Sequence, residues 1–170
     1  MLLALMLLLT LSLATVNAQP LPAASASHEC NAAHLDEVNK RGDEGMGFSH
    51  QVTHHHFRLF ADGGAIEVEA DKPDDETSRK AIREHMAYIA TMFSTGDFAL
   101  PMFIHATEPP GMKTMQRLKD KISYRAENTS LGAQVRIQTQ DPEAQQAIHA
   151  FLHFQISEHR TGDKSDVAKP

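Results

Sequence analysis

Eleven histidines in 170 residues give this chain its chemical character. His54, His55 and His56 are consecutive, His85 and His105 stand alone, and His149, His153 and His159 fall in one C-terminal stretch. Neutral imidazole is a good ligand for zinc, copper and nickel, and ligands drawn from separate elements make a rigid site. His55, His85, His105, His56, His149 and His159 are therefore the candidate metal ligands, with copper or zinc as the expected ion. His149 and His153 are spaced i, i+4, so two imidazoles on one helix face could share an ion. Met46, Met102, Met112 and Met115 fall in or beside expected loops near the histidines. Thioether sulfur would bias a site toward copper(I), although methionine at helical spacing is more often core filler.

Other chemistries find less in the residues. There is no HExxH, CxxC or complete zinc-finger spacing, so the metal and its coordination number stay open. A glycine-rich phosphate loop is absent, which argues against a nucleotide, and the missing Cys-x-x-Cys-His excludes a c-type haem. No Gly-x-Ser-x-Gly elbow occurs, and the single Cys30 falls in a segment expected to be too loose to position a nucleophile. If the chain is an enzyme, the less favoured reading, His55 or His85 would serve as general base with Glu67 or Glu69 as partner, or a metal-bound water would act.

The elements that must position these groups follow from hydrophobic periodicity. Residues 53–60 and 65–70 alternate in the strand period across Ala61-Asp62-Gly63-Gly64, whose Asp-Gly and Gly-Gly pairs mark a hairpin turn. His55, Phe57 and Leu59 then share the covered face, while His54, His56 and Arg58 turn toward Glu67 and Glu69. A helix is predicted over 76–95, with Asp75 as N-cap, Gly96 just past its end, and His85 on the stripe of Ile82, Met86, Ile89 and Phe93. Residues 98–110, with Pro101, Pro109 and Pro110, read as a stiff loop carrying His105, and 111–121 as a short helix. A second hairpin, 122–126 with 133–139, leads to a last helix opened by Asp141-Pro142 and closed by Gly162. Its stripe runs Ile148, Phe151, Leu152, Gln155 and His159.

The order β-β-α, loop, β-β-α has a half-hidden repeat within it. Asp75, Ala81, Ile82, Thr95, Gly96 and Asp97 recur 66 residues later as Asp141, Ala147, Ile148, Thr161, Gly162 and Asp163. His85 then matches Phe151 and Phe93 matches His159, so histidine and phenylalanine trade places between the copies. Asp at an N-cap and Gly beyond a C-terminus are also generic punctuation, and an internal duplication of 53–97 and 122–163 stays an alternative to coincidence. The fold class expected is α+β: two ββα units forming one four-stranded antiparallel sheet with helices on one face, plus a short extra helix in the connecting loop.

Composition bounds the rest. The apolar run from Met1 to Val16, followed by Val16-Asn17-Ala18, reads as a signal peptide over 1–18, which implies a periplasmic or secreted protein. It is too short for a membrane span, which needs about 20 apolar residues. A net charge of −6 without a basic stretch argues against nucleic acid as a partner. A metal ion is the expected partner, and another protein could meet the open sheet face if the histidines are ordinary hydrogen-bonding residues. The domain should span 46–163, preceded by a flexible arm over 19–45 and followed by a disordered tail over 164–170.

Met46-Gly47-Phe48, His55-His56-Phe57, Gly63-Gly64-Ala65-Ile66, Ile82-Arg83, Gly96-Asp97-Phe98 and Ile104-His105 resemble the pattern of a group of small exported bacterial proteins of unknown function. The resemblance covers about 46–163. It implies a periplasmic address and brings no activity with it.

Overall fold

The first hairpin forms where alternation and turn chemistry place it. In the computed structural model, which describes residues 23–168 and side chains from residue 32 onward, β1 (Thr53–Phe60) and β2 (Gly63–Ala70) pair antiparallel across Ala61 and Asp62. The expected signal peptide lies outside the described residues. Asp62 binds across the sheet, accepting from Gln138 Nε2 at 2.9 Å and from the Arg136 guanidinium. Helix α2 spans Glu76–Ser94, and the Asp75 carboxylate caps it by accepting from the Ser78 amide at 3.0 Å. The second unit repeats this plan with β3 (Ile122–Asn128), β4 (Gly132–Thr139) and α5 (Pro142–His159). Asp141 caps α5 through the amides of Glu143 and Ala144, and proline stands at its first helical position.

The strands join in the order β1-β2-β4-β3, every neighbour antiparallel, so the molecule is an α+β sandwich. Helix α5 packs over β1 and β2, whereas α2 packs over β3 and β4. Each unit thus covers the sheet half of the other, the arrangement a pseudo-twofold axis between β2 and β4 would produce. Two glycines respect that axis. A Cβ on Gly63 would collide with the Ile137 carbonyl, and one on Gly132 with the Val68 carbonyl, so both central strands approach only because these positions carry no side chain.

Several connections depart from expectation. The stretch expected to be a flexible arm forms helix α1 (Ala23–Met46), in which Val38 is fully buried. Arg41 Nε donates to the Ile104 carbonyl at 2.6 Å, and His34 pairs with Glu158 at 2.6 Å, so α1 is docked on the body by polar contacts as well as by Val38. The expected loop carrying His105 contains helix α3 (Ala99–His105), because Pro101 falls in its first turn, where a missing N–H costs nothing. Helix α4 (Met112–Arg117) and a 3-10 turn at Lys119–Lys121 fill the expected short helix. Helix α5 ends at His159, three residues before Gly162, with Arg160 itself left-handed at φ 51°.

The tail is placed through Ala168. Asp163 accepts from the Phe57 amide at 2.9 Å and the Ala168 amide donates to the Leu59 carbonyl at 2.9 Å, so the segment runs along the free edge of β1. An edge strand covered this way offers fewer open peptide groups to another chain.

Candidate functional site

A cavity of about 60 Å³ lies between the first hairpin and α2, α3 and α5, and four imidazoles line it: His55, His85, His105 and His159. Each arrives by a separate local rule. His55 points inward because it shares the strand face of Phe57 and Leu59; His85 lies one turn beyond Ile82 on the buried stripe of α2; His105 and His159 are the last residues of α3 and α5. The His55 and His159 rings lie nearly parallel with centroids 5.5 Å apart, and His105 meets His159 edge-on at 5.0 Å. Phe48, buried in the connection from α1 to β1, touches both His85 at 5.5 Å and His55 at 6.3 Å. Met46, Met86 and Gln155 complete the polarisable part of the wall, and among the described residues no aspartate or glutamate lines it.

The other half of the molecule shows what these positions hold without histidine. Register equates His55 with Tyr124, and the helix repeat equates His159 with Phe93 and His85 with Phe151. Tyr124 and Phe93 pack edge-on at 5.8 Å, and Phe93 meets Phe151 at 6.0 Å. Imidazoles thus replace an aromatic core cluster.

Burial keeps the four rings neutral. It pushes His55 down to about 4, with His85 and then its own neighbours His56 and His54 adding like-charge repulsion; it pushes His85 to about 4 by itself. His159 is held well below the ordinary histidine value by burial, then by His55 and His105. His105 is lowered by burial too, although its bond to Gln155 and the nearby Glu158 carboxylate pull the other way. A ring that stays neutral keeps a nitrogen lone pair for a ligand.

His105 is the most enclosed of the four, 3% exposed. Its Nε2 bonds Gln155 Oε1 at 2.9 Å, while Nδ1 has no hydrogen-bond partner and lies 3.8 Å from Glu158. Gln155 Nε2 is buried without a partner as well. Of these two atoms His105 Nδ1 is turned toward Glu158, which leaves the Gln155 amide nitrogen as the buried donor that a further polar group would satisfy.

The other two candidate ligands stand elsewhere. His56 lies on the opposite face of β1 and bonds Asp163 at 3.0 Å; it lines a neighbouring cavity of about 260 Å³ that shares Met46, His55 and His159 with the first. His149 donates from Nε2 to the carbonyls of Phe60 at 2.9 Å and Gly63 at 3.0 Å, fastening α5 to the hairpin turn. It therefore does not point with the exposed His153, and the i, i+4 pair is not formed as a chelate. The alternative of a His–Glu dyad also fails on geometry. Glu67 is engaged by Arg58 at 2.9 Å, and the strand period puts both Glu67 and Glu69 on the face opposite His55. Of the four methionines expected near the histidines, Met112 and Met115 are buried core and Met102 is exposed, which leaves Met46; Met86 of the α2 core also lines the cavity.

Among the described residues, no three His, Cys, Asp or Glu side chains are set close enough to cage an ion as they stand. Sequence reasoning placed Gln155 on the α5 stripe without giving it a role. A glutamine at core spacing is itself a signal, since a buried amide needs partners. Glu158 left no such signal, because it acts across elements.

No family model, curated protein or solved structure matches this chain. Among the described residues, no helix is long and apolar enough to cross a membrane. The fold and site together define an α+β sandwich with a histidine-lined internal cavity.

Proposed function

We propose that this is an exported metal-binding protein, a carrier or sensor, whose inner cavity takes copper as the cuprous ion. The observation that carries the reading is the wall itself: four imidazoles kept neutral by burial, the thioethers of Met46 and Met86, and, among the described residues, no carboxylate. Charge decides between the two metals expected from sequence. Moving an ion into an apolar cavity costs desolvation energy that rises with the square of its charge, and here no lining anion offsets it. A monovalent ion is therefore favoured over zinc(II) or copper(II). Softness points the same way, since thioether sulfur selects copper(I). Cuprous ion also accepts two or three donors, so a pair of imidazoles from His55, His85 and His159 with Met46 is sufficient, and a ready-made cage of three histidines is not required.

The apolar run before Ala18 supports the export part of the reading, and an oxidising compartment is where a protein site must shield cuprous ion from solvent. The rival, an interaction protein meeting a partner through the open sheet face, has less behind it. That face engages its own carboxylates, Glu67 with Arg58 and Glu127 with the Gln134 amide, and among the described residues no exposed large hydrophobic side chain belongs to a strand. Anaerobic titration against a chromogenic copper(I) chelator tests the proposal. One ion per chain, bound more weakly in H55A and in H85A, lost in the H55A/H85A double variant and retained in H153A, is expected; affinity unchanged in the double variant would refute it.

A further inference from the structure

A cation held by neutral rings in an apolar cavity needs a countercharge near by, and two carboxylates stand one imidazole away from the cavity. Asp43, behind His55, is already committed: the His50 ring lies 2.9 and 3.0 Å from its two oxygens, and the His50 amide donates to it at 2.8 Å. Glu158 stands behind His105, and its placement is different. His105 lines both the inner cavity and an outer groove of about 640 Å³ floored by His34, Glu37, Arg41, Phe154 and Glu158. The unpartnered Nδ1 of His105 faces the Glu158 carboxylate at 3.8 Å, and from the other side His34 of α1 reaches the same oxygen at 2.6 Å.

We propose that Glu158 is the counter-ion of the cavity, its carboxylate balancing through His105 the charge of a cation held by the inner histidines. This rests on the copper(I) reading above and adds the residue that makes charge tolerable there. Glu158 is a positioning group, not a ligand: it touches His105, and His105 touches the cavity. The groups facing His105 are His34 and Arg41 from α1 and Gln155, Glu158 and His159 from α5; Arg41, the one fixed positive charge among them, is turned away to the Ile104 carbonyl and to Glu37. At a separation of several ångströms in a partly enclosed site, one countercharge changes cation affinity by about tenfold.

Copper(I) affinity of the full chain, measured by chelator competition in wild type, E158Q, E158D and H34A, separates charge from shape. E158Q keeps the outline of the side chain and removes its charge, so about tenfold weaker binding is expected. E158D keeps the charge and loses length, and affinity within about threefold of wild type is expected. H34A breaks the same contact to α1 without touching the carboxylate, and binding equal to wild type or tighter is expected. E158Q binding like wild type, or E158D and H34A weakened as much as E158Q, overturns the counter-ion and leaves the copper site standing. Wild type without copper(I) affinity overturns both.

Discussion

At the residue scale, the cavity depends on imidazoles that refuse protons. His55 and His85 titrate near 4 in the fold against 6.5 for an ordinary histidine, so as pH falls the unfolded chain takes up protons first. Stability is therefore complete above about pH 6.5 and is lost as pH drops from there toward 4. Urea midpoints at pH 7.5 and 4.5 should differ clearly in wild type. H85F carries the aromatic that the other half has at the matching Phe151, and it should narrow that difference while retaining stability at pH 7.5; an equally steep loss in H85F would show that His85 contributes nothing to the acid sensitivity. The inward turn of His55 and His85 was legible because strand and helix periods assign faces without reference to anything distant. His149 was not legible, since the carbonyls it binds belong to Phe60 and Gly63, fixed by a turn far away in the chain.

At the element scale, the strands and the two long helices follow from alternation, Asp N-caps and the Asp-Gly turn, which are local signals. Helices α1 and α3 were hidden by composition: proline, alanine and serine around the start of α1 suggested an arm, and three prolines around His105 suggested a loop. What orders both is docking, Val38 and Arg41 onto the body for α1 and buried Ile104 for α3, and docking is invisible to a local reading. The edge of β1 is similarly a tertiary product. Asp163 accepts from the Phe57 amide at 2.9 Å, the Thr161 hydroxyl at 2.7 Å and His56 at 3.0 Å. Asp163→Ala should cost about 1–2 kcal/mol by stranding these donors. It should also raise hydrogen exchange at the Phe57 amide selectively; unchanged protection there would mean that the strap does not hold the edge. Gly132→Ala should be far more damaging than a surface substitution, because the nearest atom to its Cβ is the Val68 backbone carbonyl oxygen, which cannot swing aside, and a thermal midpoint within a degree of wild type would contradict the close approach of β2 and β4.

At the scale of the whole molecule, two ββα units share one sheet and differ in what they place on its covered face. One half packs Phe93, Tyr124 and Phe151 into a core; the other places His159, His55 and His85 at the corresponding points and leaves a cavity. The trade of histidine for phenylalanine was visible in the repeat, yet the cavity was not, because its walls also include α1 and α3. Imidazole-selective NMR of the protein, recorded before and after one equivalent of cuprous ion under anaerobic conditions, locates the site directly. The ring signals of His55, His85 and His159 and the Met46 methyl should move together and saturate at one equivalent, with His153 unaffected. Cavity signals that stay in place while His54, His56 or His153 respond, or no response anywhere, would contradict a copper site inside this fold.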